Sequence, residues 1–378
     1  MKRWLLLLAA LLMLQYVPAY AERIHTYAAV NEDKVNVRQK PGGKISEQLN
    51  RGTWVYILEE KKQSDRTWCR IAAESPNGSY RSGWMAAEYL TPLHDAFSDV
   101  VQAAAGRDHV ALLHRGGTVS VAGMEKAHLA EAETWTDIRQ ITMGRYHLAG
   151  VTNQNRVRYA SRFFSAKEAE GWRNIREATA QCYNDYLVGI TADGRTVSDW
   201  HGDPPLSFPS WPDAVQRFYG EKWNAYLTAD GIMHVVRECQ DIPQALQRMD
   251  GLTGVAQFAA AEYAAACLMR DGTVRCFAED PRSAIGTAET WTDVRQIAMG
   301  DGDFVLGLKA DGTVRMAGTI SSVDLNMRHE SRDIPVNLSD TGELDAWTDI
   351  VSIAAGPLLI VGVHSDGTAE MLGAFRYQ

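Results

Sequence analysis

The sequence predicts an all-β chain in two parts, a small barrel followed by a seven-bladed β-propeller. Three observations predict it. A degenerate pattern recurs seven times, opening at Phe97, Trp135, Trp172, Trp211, Leu252, Trp291 and Trp347. Each copy carries a tight-turn signal after its opening strand. Residues 24–92 precede the repeats and read as closely spaced short strands of a different pattern.

The clearest copies are Trp135-Thr-Asp-Ile-Arg-Gln-Ile-Thr-Met-Gly144 and Trp291-Thr-Asp-Val-Arg-Gln-Ile-Ala-Met-Gly300. The turns are Gly116-Gly117, Gln154-Asn155, Asp193-Gly194, Asp230-Gly231, Asp271-Gly272, Asp311-Gly312 and Asp366-Gly367. Gly and Asn accept positive φ, and a following Thr or Val starts the return strand. Openers lie 37 to 41 residues apart through the sixth copy, which suits one four-stranded blade each. The longer gap from Trp291 to Trp347 predicts a protruding loop around Thr319 to Glu343. Only five residues follow Gly373, so a strand from residues 90–96 is expected to complete the last blade.

In the N-terminal part, Lys34-Val-Asn-Val-Arg38 alternates like a strand and Pro41-Gly42-Gly43 is a turn. The strands Thr53–Leu58, Thr67–Ile71 and Ser82–Met85 follow at close spacing with little helix between them. Asn36-Val37-Arg38, Gly52-Thr53-Trp54-Val55, Trp68-Cys69-Arg70-Ile71 and Gly83-Trp84-Met85 with Tyr89-Leu90 resemble the bacterial SH3-type domain. That resemblance spans residues 24–92 and implies an SH3-like barrel. Met85 stands where the family usually has Val, a tolerable apolar change.

Residues 96–378 resemble the repeat of the regulator of chromosome condensation family, a seven-bladed β-propeller. The Trp-x-Asp-Ile-x-x-Ile-x-x-Gly strand, the Asp-Gly-Thr-Val hairpin, and His109 and His147 at equivalent positions carry it. Copies four and five are degenerate. Leu252 replaces Trp, Ala261 replaces Gly, and the family's Trp-Gly ending is worn to Ala122-Gly123, Ala317-Gly318 and Leu372-Gly373.

Composition narrows the function. Hydrophobic residues make up 46% of the 378, enough for a large core, and the formal charge is −9. Residues 1–21 read as a secretory signal: Lys2 and Arg3, an apolar stretch from Trp4 to Leu14, and Ala19-Tyr20-Ala21 as the cleavage site. The competing reading is a membrane anchor. Without that segment, 36 basic residues face 47 acidic ones, for −11. An acidic chain with no Lys/Arg cluster is not expected to bind nucleic acid. No later run has membrane-spanning length. The expected location is secreted or at a bacterial cell envelope.

Export makes the five cysteines disulfide candidates. If Asp271-Gly272 is a two-residue hairpin loop, Cys267 faces Cys276 in a non-hydrogen-bonded pair. Its expected Cα separation of about 4.5 Å allows a bridge. A three-residue loop with a bulge at Gly272 would slip the register and part the sulfurs. The disulfide is the expectation. Cys69 reads as a buried free thiol, and Cys182 and Cys239 have no local signal for pairing.

Catalytic signatures are scarce. There is no HExxH, GxSxG, Walker-type loop or zinc-type Cys/His spacing, and the Asp-Gly turns lack the alternating acids of a calcium loop. No cofactor and no metal are expected. The repeated Trp, Asp-Gly and His positions read as scaffold. The informative positions are the variable turns after each first-strand Gly: Arg107-Asp108, Arg145-Tyr146, Cys182-Tyr183, Glu221-Lys222-Trp223, Glu262-Tyr263 and Asp301-Gly302-Asp303. They fall on one rim of a closed ring, and their Tyr, Trp and Arg suit partner binding; the competing reading is ordinary solvated turns.

The expected protein is therefore an exported, non-enzymatic, monomeric binding protein. The resemblances imply cell-wall peptidoglycan or another extracellular ligand for the first unit. They imply a surface protein or glycan for the propeller, and one exported branch of that family inhibits β-lactamases. The rival reading is a glycan hydrolase or lyase using Asp108, Glu221, Glu262, Asp301 and Asp303 around the mouth, which needs two facing carboxylates. A third reading is a purely structural surface protein.

Overall fold

The computed structural model describes residues 26–74, 80–123, 126–161, 167–180, 186–200, 209–220, 223–237, 242, 244–280, 283–300, 304–320 and 343–373. The leader expected at 1–21, Cys182, Cys239 and most of the loop expected at 319–343 lie outside them. Among the described residues, no helix is long and apolar enough to cross a membrane.

The N-terminal strands are β1 (Tyr27–Val30), β2 (Val35–Arg38), β3 (Ile45–Leu49), β4 (Trp54–Gln63), β5 (Arg66–Glu74), β6 (Tyr80–Ala86) and β7 (Leu90–Pro92). They form one antiparallel sheet in the order β3-β2-β6-β5-β4-β1-β7. Strand alternation divides its side chains between two cores. On one face Val35 and Val37 share a core with Ile57, Cys69, Ile71, Met85, Val30 and Leu90, so the sheet curls until distant strands meet. On the other, Tyr27, Trp54, Tyr56 and Ala72 pack against the rest of the chain.

Seven separate antiparallel sheets follow. Blade one is β8 (Val100–Ala105), β9 (His109–His114) and β10 (Val119–Gly123). The others lie within 138–161, 175–198, 214–237, 255–278, 294–318 and 350–373. Each described sheet has three strands rather than the expected four. Short helices precede most openers instead, including Lys126–Thr134, Lys167–Gly171, Gln244–Gln247 and Ala284–Thr290. The reason is a period of three. Leu129, Ala132 and Trp135 are all buried, as are Ile285 and Ala288 ahead of a half-buried Trp291. A three-residue spacing eclipses side chains on a 3₁₀ turn rather than alternating them across a strand. The amides of Trp135, Trp172, Leu252, Trp291 and Trp347 accordingly donate to the carbonyl three residues back, at 3.0–3.1 Å.

The opening motif has a second physical meaning. Its third residue takes positive φ at Asp99, Asp137, Asn174, Gly254, Asp293 and Asp349, which is why Asp, Asn or Gly stands there. The opener indole lies on the middle strand, where a Cβ on Gly307 would sit 2.6 Å from Trp291 and one on Gly362 would sit 2.8 Å from Trp347. In blade five, Leu252 is the smaller opener, and Cys267 occupies the register position of those glycines.

Neighbouring blades are joined by repeated bonds. The Gln side chain in each of five first strands both donates to and accepts from the next blade's backbone: Gln102 with Ile141, Gln140 with Ala178, Gln216 with Phe258, Gln257 with Ile297, and Gln296 with Ile353. The hairpin-turn residues contribute too. The carbonyls of Gly117, Asn155, Gly231, Gly272 and Gly312 accept from the next blade's first strand at 2.9–3.1 Å.

The ring closes by the same device. Val100 N donates to Gly367 O at 2.9 Å, joining blade seven to blade one. Residues 90–96 do not complete the last blade, contrary to the sequence expectation. Leu90–Pro92 pairs with β1, and Leu93–Ala96 is a short helix, α1. The N-terminal unit instead covers the seam. Tyr27, Trp54, Tyr56 and Leu93 share a core with Val110 and Leu112 of blade one and with Leu359, Val361 and Met371 of blade seven. Trp54 stacks on Phe97 at 5.9 Å and 19°, and the Tyr56 hydroxyl donates to the Gly373 carbonyl.

The disulfide expectation fails. Gly272 N donates to Met269 O at 3.0 Å, Met269 N donates to Thr273 O at 2.8 Å, and Gly272 takes φ +81°. This is the three-residue bulged loop, which places Cys267 opposite Arg275 and Cys276 opposite Ala266. Cys267 and Cys276 are free, and they lie on opposite faces of their blade, in the cores shared with blades four and six respectively. Burial pushes both thiols up to about 12. Cys69 is a buried free thiol, as its strand position indicates.

Candidate functional site

The variable turns of blades one and two come together. Arg107 N donates to Arg145 O at 3.3 Å, and the Arg107 guanidinium donates to the Tyr146 hydroxyl. Both Arg107 and Arg145 hold their guanidinium carbons 5.9 Å from the Tyr146 ring centroid, a cation–π arrangement. Arg107 Nε lies 3.7 Å from Asp108 Oδ2, with the two side chains 11% and 15% exposed. The approach rests on glycine: a Cβ on Gly106 would sit 2.9 Å from Met143 Sδ and 3.1 Å from Gly144 O. Asp108 is also tied to the N-terminal unit, because the Tyr27 hydroxyl donates to its carbonyl at 2.7 Å. Arg107, Asp108, Arg145 and Tyr146 therefore form one cluster, held from beneath.

The turns of blades four and five also meet, with a different outcome. Trp223 is fully buried and its indole Nε1 donates to Glu262 O at 3.1 Å. It is a core residue and not a presented aromatic, which corrects its assignment as a partner-binding residue. Glu262 is 4% exposed, beside Gly220, and is likewise buried rather than presented. Tyr263, 41% exposed, is the presented aromatic of this pair. Tyr183, Glu221, Lys222, Asp301 and Asp303 lie outside the described residues. His109 and His147 are buried, and His147 stacks on Tyr159 at 5.7 Å.

A second feature escaped the sequence reading. The N-terminal unit carries a cleft of about 150 Å³ lined by Glu32, Asp33, Lys34, Val35, Asn36, Arg38, Arg66, Trp68, Ala86 and Tyr89. The Arg66 guanidinium lies 5.9 Å from the Trp68 ring centroid and 3.0 Å from Glu88. None of these residues belongs to the set that docks the unit on the ring. The available signal was the Asn31-Glu-Asp-Lys34 charge run beside the Asn36-Val37-Arg38 strand, facing the Trp68 strand across β6.

No protein-family model matches the chain, and no curated protein does. Solved structures do. The CRINKLY WD40 ectodomain of the Arabidopsis thaliana receptor kinase ACR4 is 14% identical at a TM-score of 0.53, over 73% of this chain and 96% of that one. The ectodomain of the Physcomitrella patens receptor kinase CR4 is 13% identical at 0.51, over 74% of each chain. The chain is a β-propeller. Prp20p from Saccharomyces cerevisiae also matches, at 14% identity over 74% of this chain and 77% of that one, but a TM-score of 0.33 adds nothing to that assignment. At these identities the likeness shows the fold alone.

Proposed function

We propose that this chain is an exported, monomeric and non-enzymatic binding protein. In this reading the N-terminal unit is an SH3-type module that takes a cell-wall or other extracellular ligand. The propeller, a divergent one of the regulator of chromosome condensation type, serves as a platform for a surface protein or glycan. The observation that carries the reading is the division of labour within the N-terminal sheet. Tyr27, Trp54 and Tyr56 are committed to the ring. The Trp68–Tyr89 cleft, with carboxylates and guanidinium groups on its walls, is left available. An aromatic floor with charges of both signs suits a zwitterionic peptide such as a peptidoglycan stem or cross-bridge.

The test is retention of the full chain on purified cell walls, compared with Tyr89→Ala and with Asp33→Ala/Arg66→Ala. The expected result is retention by the parent chain and a loss of tenfold or more in both variants. Parent retention no greater than that of an unrelated acidic protein rejects the wall-binding reading. For the platform, the presented residues are Tyr263, Arg145 and Tyr146. A Tyr146→Ala/Tyr263→Ala variant that captures the same surface proteins as the parent rejects the rim assignment. Measurable glycan turnover would replace the binding reading with the enzymatic one.

A further inference from the structure

We propose that His94, His364 and Glu370 form a binding site for one divalent transition-metal ion of the zinc type, at the seam where the linker helix meets the last blade. His94 comes from α1, His364 ends the middle strand of blade seven (Leu359–His364), and Glu370 lies on its third strand (Ala369–Gly373). One donor atom from each side chain lies within 4.8 Å of the other two. The imidazoles stand edge to face with centroids 5.5 Å apart, and His364 Nε2 is 3.7 Å from Glu370 Oε2. That separation exceeds ordinary hydrogen-bond length. A tetrahedral zinc ion with bonds of about 2.0–2.1 Å would draw such donors together to about 3.4 Å, a modest rotamer adjustment.

The outer contacts match those of ligating histidines, which give one ring nitrogen to an oxygen acceptor and the other to the metal. His94 Nδ1 lies 2.9 Å from Asp95 Oδ1, leaving Nε2 toward the cluster, 3.3 Å from Thr368 Oγ1. His364 hydrogen-bonds the backbone of Thr348 and turns Nε2 toward Glu370. Blade one supplies the internal control. Its register equivalent, His114, has Nδ1 2.8 Å from Ser98 O and Nε2 2.8 Å from Ser120 Oγ. The imidazole pose is the same, but Ser120 stands in the place of Glu370. A simple His–Glu ion pair accounts for Glu370 and the Thr368 hydroxyl partners His94 Nε2; the ion would take that nitrogen in the hydroxyl's place and join both imidazoles to the carboxylate. Asp366, which acts electrostatically on both histidines, adds negative charge that favours a cation. Three protein ligands leave a fourth position for water. Bound there, the ion would fasten the linker to blade seven, beside the Val100–Gly367 closure.

The test uses the full chain after removal of metals by a chelator and dialysis, titrated calorimetrically with Zn²⁺ and spectroscopically with Co²⁺. The expected result is one saturable equivalent with a Co²⁺ spectrum lacking a thiolate charge-transfer band. Glu370→Gln and His94→Asn should each weaken Zn²⁺ binding tenfold or more, while His114→Asn leaves it unchanged. Zn²⁺ should also raise the Tm of the parent and not that of Glu370→Gln. Failure to take up Zn²⁺, a thiolate band, or undiminished binding by His94→Asn/Glu370→Gln with unaltered circular dichroism each overturns the assignment. Glu370 is a partly exposed strand residue, so its variant keeps the test open if His364→Asn does not fold.

Discussion

Two interfaces in the ring depart from the other five, and they depart in different ways. Between blades three and four the clamp position holds Glu177, and the position it would bond holds Arg217. Arg217 Nη1 lies 3.5 Å from Glu177 Oε2, with side chains 1% and 32% exposed. Burial drags the Arg217 pKa down, against the opposing pull of Glu177. Between blades seven and one the clamp position is Ser352, too short to reach the next blade, and an outside element takes over: the Tyr27, Trp54 and Tyr56 face of the N-terminal sheet. A repeat tolerates loss of its consensus bond where another structure covers the gap. At the seam that structure is a docked unit; between blades three and four it is a charge pair whose guanidinium is buried, which is costly to desolvate.

The largest expected effect breaks the charged interface. Arg217→Ala empties a buried side-chain site and removes the partner of the partly exposed Glu177, and should cost about 2–5 kcal/mol in urea unfolding. The double variant Glu177→Gln/Arg217→Ile rebuilds the clamp of the other blades and should recover most or all of that loss. A double variant no more stable than Arg217→Ala would show that the clamp is not what the pair replaces. Next comes Gly362→Ala in blade seven. Its new Cβ would sit 2.8 Å from Trp347, so overpacking should cost about 1–3 kcal/mol. Gln257→Ala removes two hydrogen bonds across one ordinary interface, at 3.1 and 2.8 Å, and should cost about 1–3 kcal/mol in the same assay.

Much of this is legible in the amino-acid sequence. The seven openers and their turns predicted seven sheets, and the degenerate copies mark real changes in packing: Leu252 stands with Cys267 where blades two, three, six and seven stand Trp with Gly. The clamp was visible as Gln at the sixth motif position, with Glu177 and Ser352 as exceptions, but one chain cannot tell a packing Gln from a solvated one. Apolar residues at period three precede Trp135, Leu252 and Trp291 in the sequence too, but three or four positions are too few to separate a tight helical turn from a strand. The cysteine register hinged on one residue of loop length, which the sequence left open. The turn residues were hardest to rank. Trp223 and Tyr146 look alike in sequence, yet one is fully buried and the other half-buried. What decides it is the neighbouring blade's turn, some forty residues away in the chain.

The smallest expected effect compares turns rather than interfaces. In blades five to seven, Asp271, Asp311 and Asp366 each accept from the backbone amide and hydroxyl of a following Thr, at 2.6–3.0 Å. Those bonds hold the three carboxyls below the usual carboxylate range. In blade three, the Thr191 hydroxyl and then Arg195 hold Asp193 down to about 2. The corresponding turns of blades one and two, Gly116-Gly117 and Gln154-Asn155, carry no acid. A carboxyl whose pKa is lower folded than unfolded contributes stability above the unfolded value. That contribution is lost as pH falls through the folded value. The turns of blades three and five to seven should therefore weaken as pH falls below the ordinary carboxylate value of about 4, while those of blades one and two do not. Thr313→Ala should lower the Tm slightly at pH 7 and reduce its further fall on acidification, because the bond that depresses Asp311 is already gone. Amide exchange read blade by blade at pH 4 and pH 2.5 checks the contrast. Equal acid sensitivity at Gly117 and Gly312 would leave the Asp-Thr turns with no electrostatic role.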